Sequence, residues 1–488
     1  MIDVGSNSVR MVVFEGDRRS PAQLFNEKVM CRLGARIGET GRLDPAGRAR
    51  AMAALRRFAA IAGGMRVGAL AAVATAAVRE AADGAEFCAE IRRRTNIRVE
   101  IASGADEARL AAQGVLFGNP RAEGVVVDLG GASLELCRVG GGRVGQGVSV
   151  PLGPLRLTSA GPDGLTDAQI AAEIEGLAGR FGVAGGRLHL VGGAWRSLAR
   201  AQMERVDYPL KVLHEYTLGA AAARELGAWV AAMRPDKLKR LRGISEERAP
   251  LLPVAGRLLC RLIEGLGPGE VMFSGFGLRE GLCIEHLPAP VRARDPLIAA
   301  CEAVEGLAAR APGFGAELAA WAKTVLAPLD AGEERLVEAA ARLADVNWRT
   351  HPDYRVSGSW EAATRATLTD IGHAGRVFLG TALTARHKRG RRRVAESRLM
   401  KLLDPDTLDR AIRYGLVFGL GAALSGATPG VLGSCRMVRA PGRLDLVLEG
   451  PAEELAGEEV EKRLRNLTVE LGVAGELRAA SGREAARK

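Results

Sequence analysis

The chain has 488 residues, with 68 Lys and Arg against 57 Asp and Glu, a formal net charge of +11, 47% apolar residues and 4% aromatic ones. This composition is that of a globular protein and excludes a disordered tail, and the length divides into about three or four domains of roughly 100–200 residues. The longest uncharged stretch, Tyr414 to Cys435, is broken by glycines, Ser425, Thr428, Pro429 and Ser434, so it is not read as a membrane span. The seven cysteines are odd in number and scattered, and Met1-Ile2-Asp3 opens the chain without a basic or apolar leader, which points to a reduced, cytoplasmic protein. The positive surplus favours a polyanionic partner without naming it.

Taken in order, Val9 to Phe14 alternates as a strand and residues 44–62 carry apolar positions at helical spacing. Residues 67–73 follow as a buried strand, 83–94 as a helix, 98–102 as a strand, and 104–116 as a helix opened by small and acidic residues. From Val125 the alternation begins again. Strands are predicted at 134–139 and 143–150, a helix at 166–181, a strand at 187–191, helices at 196–203 and 215–233, and a last strand at 270–273. The first part is therefore two similar α/β halves, 1–117 and 118–290. Pro288, Pro290 and Pro296 then punctuate the chain, and an Ala- and Leu-rich helical pattern fills 297–430. Residues 436–449 alternate as a hairpin around Pro441-Gly442, so 431–488 reads as a small α+β domain with a charged helix and a polar tail.

The strongest chemical signal is an internal duplication. Asp3-Val4-Gly5-Ser6-Asn7-Ser8 precedes one strand, and Asp128-Leu129-Gly130-Gly131-Ala132-Ser133 precedes another, both as D-x-G-x-x-S. A glycine turn lets backbone N–H groups meet phosphate oxygens, and the carboxylate can hold a divalent cation directly or through water. One such turn can simply close a hairpin. Two copies, each heading a half, would clamp a phosphate chain between them.

Three further residues suit that chemistry. Glu107, in the first turn of the helix at 104–116, can take a proton from an attacking water, or with Asp106 can merely complement the positive helix end. Glu135 lies on the strand face opposite Leu134 and Leu136, where it can share a metal with Asp128 or face solvent. Arg79, after a buried strand, offers a forked donor to phosphate.

These pieces together resemble the exopolyphosphatase and guanosine pentaphosphate phosphohydrolase family, a branch of the superfamily that also holds actin, sugar kinases and heat-shock chaperone ATPases. The resemblance is carried by DVGSNSVRMVVFE at 3–15, ATAAVRE at 74–80, SGADEARLAAQGV at 103–115, DLGGASLEL at 128–136, PLGPLRLT at 151–158, VGGAWRSLAR at 191–200, GISEERAPLLPVAG at 243–256 and FSGFGLREGL at 273–282. It implies two actin-like, ribonuclease H-like α/β domains, then an all-α HD-like domain and a small α+β domain. It implies Glu107 as general base, Asp128 and Glu135 with Asp3 as holders of Mg²⁺, and Ser6, Asn7, Ser8, Arg79, Gly130, Gly131, Ala132 and Ser133 as phosphate binders, with Gly192 and Gly193 lining the cleft.

Two departures accompany the resemblance. Ala132 stands where the family loop has a third glycine, so the turn must accept a Cβ. Only Met1 and Ile2 precede Asp3, so the first strand is expected to be short and weakly paired, as a start further upstream would explain. The helical segment lacks the His-Asp dipeptide that a working HD-type metal site needs, and its histidines, His351, His373 and His387, read as structural. The runs at 387–393 and 237–242 are basic enough to guide a polyanion. The activity expected is Mg²⁺-dependent, processive removal of terminal phosphate from inorganic polyphosphate, with hydrolysis of the 5′ phosphate of pppGpp as the alternative. A homodimer is expected, and neither nucleic acid nor membrane is expected as a partner.

Overall fold

The computed structural model describes residues 1–16, 18–159, 166–326, 330–387 and 398–481, so the basic run beyond His387 lies outside the described residues. These form two compact units, Met1–Ala293 and Arg294–Lys488.

The first unit is built on two sheets. One is five-stranded in the order β3-β2-β1-β4-β5, from β1 (Ile2–Val4), β2 (Ser8–Phe14), β3 (Gln23–Met30), β4 (Ala72–Ala74) and β5 (Val99–Ile101). The other is six-stranded in the order β10-β11-β9-β6-β7-β8, from β6 (Gly124–Leu129), β7 (Leu134–Gly140), β8 (Arg143–Val150), β9 (Arg187–Val191), β10 (Tyr216–Gly219) and β11 (Glu270–Phe273). In each, the strand that ends in the D-x-G loop and the next two in sequence form an antiparallel meander, and the loop strand pairs parallel to a later strand on its other side. This duplicated mixed sheet is the actin-like α/β arrangement.

The alternation within each strand separates core from site. Ile2, Val4, Val9 and Met11 are buried with Leu55 and Phe58 of α1 (Pro45–Gly64), and Val125, Val127, Leu134 and Leu136 are buried with Leu188, Leu190 and Trp195. Leu258, Leu259 and Leu262 of α7 (Leu252–Leu266) close the second core. Truncating one such side chain to Ala costs about 2–5 kcal/mol. Among the intervening residues, polar ones line up across the strands near the loops. Asp3 pairs with Arg10, which pairs with Lys28; Asp128 pairs with Glu135, which pairs with Ser149. Both rows emerge beside the D-x-G loops.

Between them in sequence are α2 (Gly84–Thr95), α3 (Gly104–Gly118), α4 (Asp167–Phe181), α5 (Gly193–Arg205) and α6 (Ala220–Ala231), and α8 (Leu278–His286) follows β11. Helix α8 packs so closely on α3 that a Cβ at Gly281 would stand 1.9 Å from the Leu110 carbonyl oxygen, which only glycine permits.

Despite its three residues, β1 is paired on both sides, Ile2 with Met11 and with Ala72, and the Met1 ammonium donates to the Val12 carbonyl at 2.8 Å. Two expected elements differ. The strand at 67–73 is reduced to Ala72–Ala74, because the ladder to β1 starts only where Ile2 N donates to Ala71 O, at 2.8 Å. The helix at 215–233 begins only at Ala220, because Tyr216, Thr217 and Leu218 pair with β11 and Gly219 ends that strand.

The second unit has one continuous apolar core, running from Leu297 to Leu467. Its helices include α9 (Pro296–Ala308), α10 (Phe314–Val325), α11 (Ala331–Arg342), α12 (Arg355–Thr364), α13 (His373–Ala385), α14 (Pro405–Ser425) and α15 (Glu458–Leu471). The expected hairpin is present as β12 (Cys435–Ala440) and β13 (Arg443–Leu448), and β14 (Leu477–Ala479) pairs parallel to β13. Buried Arg376 of α13 donates to the carbonyls of Ala366 at 2.8 Å and Leu368 at 2.6 Å, so its charge fixes a loop inside the core. Among the described residues, no helix is long and apolar enough to cross a membrane.

Candidate active site

The two D-x-G-x-x-S loops close with the same hydrogen bond. Gly5 N donates to Ser8 O at 3.0 Å, and Gly130 N donates to Ser133 O at 3.1 Å. The tip carbonyls are occupied from outside: Ser6 O accepts from Gly34 N at 2.9 Å, Asn7 O from Cys31 N at 2.9 Å, Gly131 O from Leu155 N at 2.8 Å and Ala132 O from Gly153 N at 3.1 Å. Amide N–H groups are thus the backbone groups with which these tips can meet an anion. Ala132 is not among the non-glycine residues at positive φ, so its Cβ is accepted without strain. Ser6, Asn7, Ser8, Gly130, Gly131, Ala132 and Ser133 all line one cleft of about 240 Å³.

Asp3, Glu107, Asp128 and Glu135 line the same cleft. Asp128 and Glu135 are direct cross-strand partners, so both carboxylates leave the sheet on one face. Glu107 is carried in by α3, whose capping box occupies Ser103 and Asp106: Asp106 N donates to Ser103 Oγ at 3.1 Å, and Ser103 N donates to the Asp106 carboxylate at 3.3 Å. Asp106 therefore serves the helix end, and Glu107 is the acid turned to the cleft.

Burial raises all four carboxyls, and their mutual repulsion adds to it. Glu107 is pushed up to about 7, Asp128 to about 6 and Glu135 to about 8, and Asp3 rises as well. Ser149 Oγ donates to Glu135 at 2.8 Å, and Arg79 donates to the Glu107 carboxylate and to Ala102 O at 2.9 Å.

The same cleft carries Arg10, Lys28, Arg196, Arg248 and Arg279, with Arg10 and Lys28 in the cross-strand row of Asp3. Burial and then their mutual repulsion lower Arg10 and Arg196 to about 10 and Lys28 to about 8. So dense a group of cations favours a polyanion. Sequence reasoning did not single them out. Arg10 stands at the same offset from Asp3 as Glu135 does from Asp128, and Arg196 and Arg279 lie inside two of the quoted motifs, so the signal for these three was present. Arg248 likewise lies inside the quoted motif at 243–256, and Lys28 alone joins only through folding.

Gly192 and Gly193 also line the cleft. Gly192 has φ +118°, and a Cβ there would stand 2.5 Å from Leu129 O and 3.0 Å from Asp128 Oδ1, so any side chain would displace the second loop. Arg79 alone of the singled-out residues lies outside this cleft, bordering a neighbouring pocket of about 420 Å³ with Ser133 and Ser149.

Among the described residues, no three His, Cys, Asp or Glu side chains converge closely enough to enclose a metal ion by themselves. The paired Asp128 and Glu135 carboxylates are nevertheless the hard oxygen donors that suit Mg²⁺, an ion that keeps several waters and takes further ligands from substrate phosphates. In the second unit, His351 Nδ1 accepts from Asp353 N at 3.3 Å on an exposed turn, and His373 is buried at the start of α13.

A sequence model of the Ppx/GppA phosphatase family matches residues 12–289, and one described as the exopolyphosphatase C-terminal domain matches residues 297–477. The chain is 28% identical over 309 residues to exopolyphosphatase 1 of Mycobacterium leprae, covering 59% of this chain and 88% of that protein. It is 30% identical over 299 residues to the guanosine-5′-triphosphate,3′-diphosphate pyrophosphatase of Aeromonas salmonicida, covering 58% of each. Among solved structures, the Aquifex aeolicus member of the Ppx/GppA family aligns with a TM-score of 0.51 at 25% identity, over 58% of this chain and 95% of that one.

Proposed function

The chain belongs to the Ppx/GppA phosphatase family, and from that premise we propose that it is an exopolyphosphatase, removing the terminal phosphate of inorganic polyphosphate one residue at a time. The observation that carries this reading is the make-up of the cleft: four carboxylates, two phosphate-type loops and five cations line the same space.

The roles follow from the chemistry. The terminal phosphoryl is held by the amides and hydroxyls of Ser6, Asn7, Ser8 and Gly130 to Ser133. Glu107 accepts a proton from a water that attacks phosphorus in line, and the bridging P–O bond breaks with its electrons passing to the shortened chain. Asp128 and Glu135, with Asp3 nearby, would hold Mg²⁺, which when bound neutralises charge developing on the phosphoryl oxygens. Arg10, Lys28, Arg196, Arg248 and Arg279 bind the remaining chain. In this reading Arg79 orients Glu107 and meets phosphate only after the reaction.

The nearest alternative substrate is pppGpp, supported by the similarity to the Aeromonas salmonicida enzyme. Against it, the described lining of the cleft contains no Phe, Tyr, Trp or His on which a guanine would stack. We also assign 297–430 to a degenerate HD-like domain without a second active site, 431–488 to a small α+β domain that shares its apolar core, and the working enzyme to a homodimer.

The test is phosphate release with Mg²⁺ from long-chain polyphosphate and from pppGpp in parallel. Faster turnover of polyphosphate, as kcat/KM, is expected; preference for pppGpp moves the assignment to a pentaphosphatase, and release from neither overturns both.

A further inference from the structure

The pocket behind Glu107 is unused by the reaction just described. It is bordered by Arg79, Ala105, Ser133, Ser149 and Pro151, and it has a volume of about 420 Å³. Only one layer of side chains divides it from the catalytic cleft. Ser133 lines both spaces, Glu107 faces the cleft while its carboxylate is held by Arg79 on the other side, and Glu135 faces the cleft while Ser149, bonded to it at 2.8 Å, borders the rear pocket.

We propose that this rear pocket is the exit site for the orthophosphate product, with Arg79 as the cation that escorts it out. The proposal rests on the exopolyphosphatase reading. A chain that stays bound between successive cleavages fills the front of the cleft along Arg10, Lys28 and Arg279, so each released phosphate needs another way out. In-line attack also moves phosphorus toward the incoming water, and hence toward Glu107 and the wall behind it. The water gives its oxygen to phosphorus and one proton to Glu107, while the leaving oxygen stays with the shortened chain. A protonated Glu107 no longer pairs with Arg79 as an anion, so the guanidinium is released just as a phosphate anion forms beside it. Glu107 then returns its proton to the departing phosphate or to solvent in the rear pocket. The second nearby ion pair, Arg156 with Glu80, keeps the pocket close to neutral, which suits a site that passes phosphate on rather than retaining it.

The test narrows the pocket from its two exposed lips, with Ala105→Trp and, independently, Pro151→Trp, neither of which lines the catalytic cleft. Phosphate formed is measured by acid quench and free phosphate by a fluorescent phosphate sensor, on long-chain polyphosphate and on tripolyphosphate. With long chains the variants are expected to show a burst of bound phosphate ahead of free phosphate and a kcat lower by about tenfold, because release has become limiting. With tripolyphosphate, whose short product clears the front of the cleft, kcat is expected to stay within about twofold of the parent. Unchanged long-chain turnover without a burst, or an equal loss on both substrates, would overturn the exit. If the parent enzyme itself releases no phosphate from either substrate, it is the exopolyphosphatase reading that fails, and the exit falls with it.

Discussion

Asp128 and Glu135 face each other directly across the β6–β7 ladder, so the fold holds two carboxylates side by side. Like charges directly opposite on neighbouring strands destabilise a sheet, and here they are also buried. Such an arrangement is tolerable where a cation joins it. Asp128→Asn or Glu135→Gln should therefore stabilise the metal-free protein by about 1 kcal/mol, a rise in Tm of about 2 °C for a unit of this size, while abolishing phosphate release. Calorimetry with and without Mg²⁺ checks both halves, and Mg²⁺ should raise the Tm of the parent far more than that of either variant.

The raised carboxyls also set a pH dependence of stability. A carboxyl whose folded pKa lies above its unfolded value binds its proton more tightly when folded, so its stabilising contribution is complete in acid and is lost as pH climbs. With Asp128 at about 6, Glu107 at about 7 and Glu135 at about 8, metal-free protein should lose stability progressively from about pH 4, where unfolded carboxyls ionise, to about pH 8. Urea titrations across that range test this, and Asp128→Asn should flatten the slope.

The cations of the cleft should govern binding rather than chemistry. Lys28→Met or Arg279→Gln should raise KM for long-chain polyphosphate by about tenfold, roughly 1.4 kcal/mol, with kcat changed by less than about threefold. Added salt should raise the parent's KM and do so less steeply in the variants. A loss confined to kcat would remove these residues from the binding track.

Gly192 bears on both loop and cleft. A methyl group at Gly192→Ala meets Leu129 O at 2.5 Å in a positive-φ backbone, so the variant should lose about 1–3 kcal/mol of stability and most of its activity. Gly433→Ala, where a Cβ meets nothing within 4 Å, should leave both unchanged.

Much of this was legible in the sequence because the duplicated loops are local. Gly5 and Gly130 make the same turn, and the period-two alternation after each puts apolar residues inside and polar ones beside the cleft. Ser103 and Asp106 could be read as a helix cap from their spacing, which leaves Glu107 free for chemistry. What was not legible depends on strand pairing and distant packing. Lys28 reaches the cleft only because β3 pairs with β2 in one register, which sets it beside Arg10. Arg79 looked like a phosphate ligand from its position after a strand, yet its partner is Glu107, a contact between two motifs that neither one specifies alone. The strand at Tyr216 was hidden because the alanine-rich helix after it dominates the local pattern.

The central claim is that Glu107 activates the attacking water. Its most direct test is single-turnover phosphate release from long-chain polyphosphate by the parent, Glu107→Gln and Glu107→Ala, with polyphosphate binding measured in parallel. Both variants should bind the polymer within a few-fold of the parent while release falls by about 10²–10⁴-fold. Variants that bind normally and still release phosphate at more than about a tenth of the parent rate would contradict the assignment of Glu107 as the base.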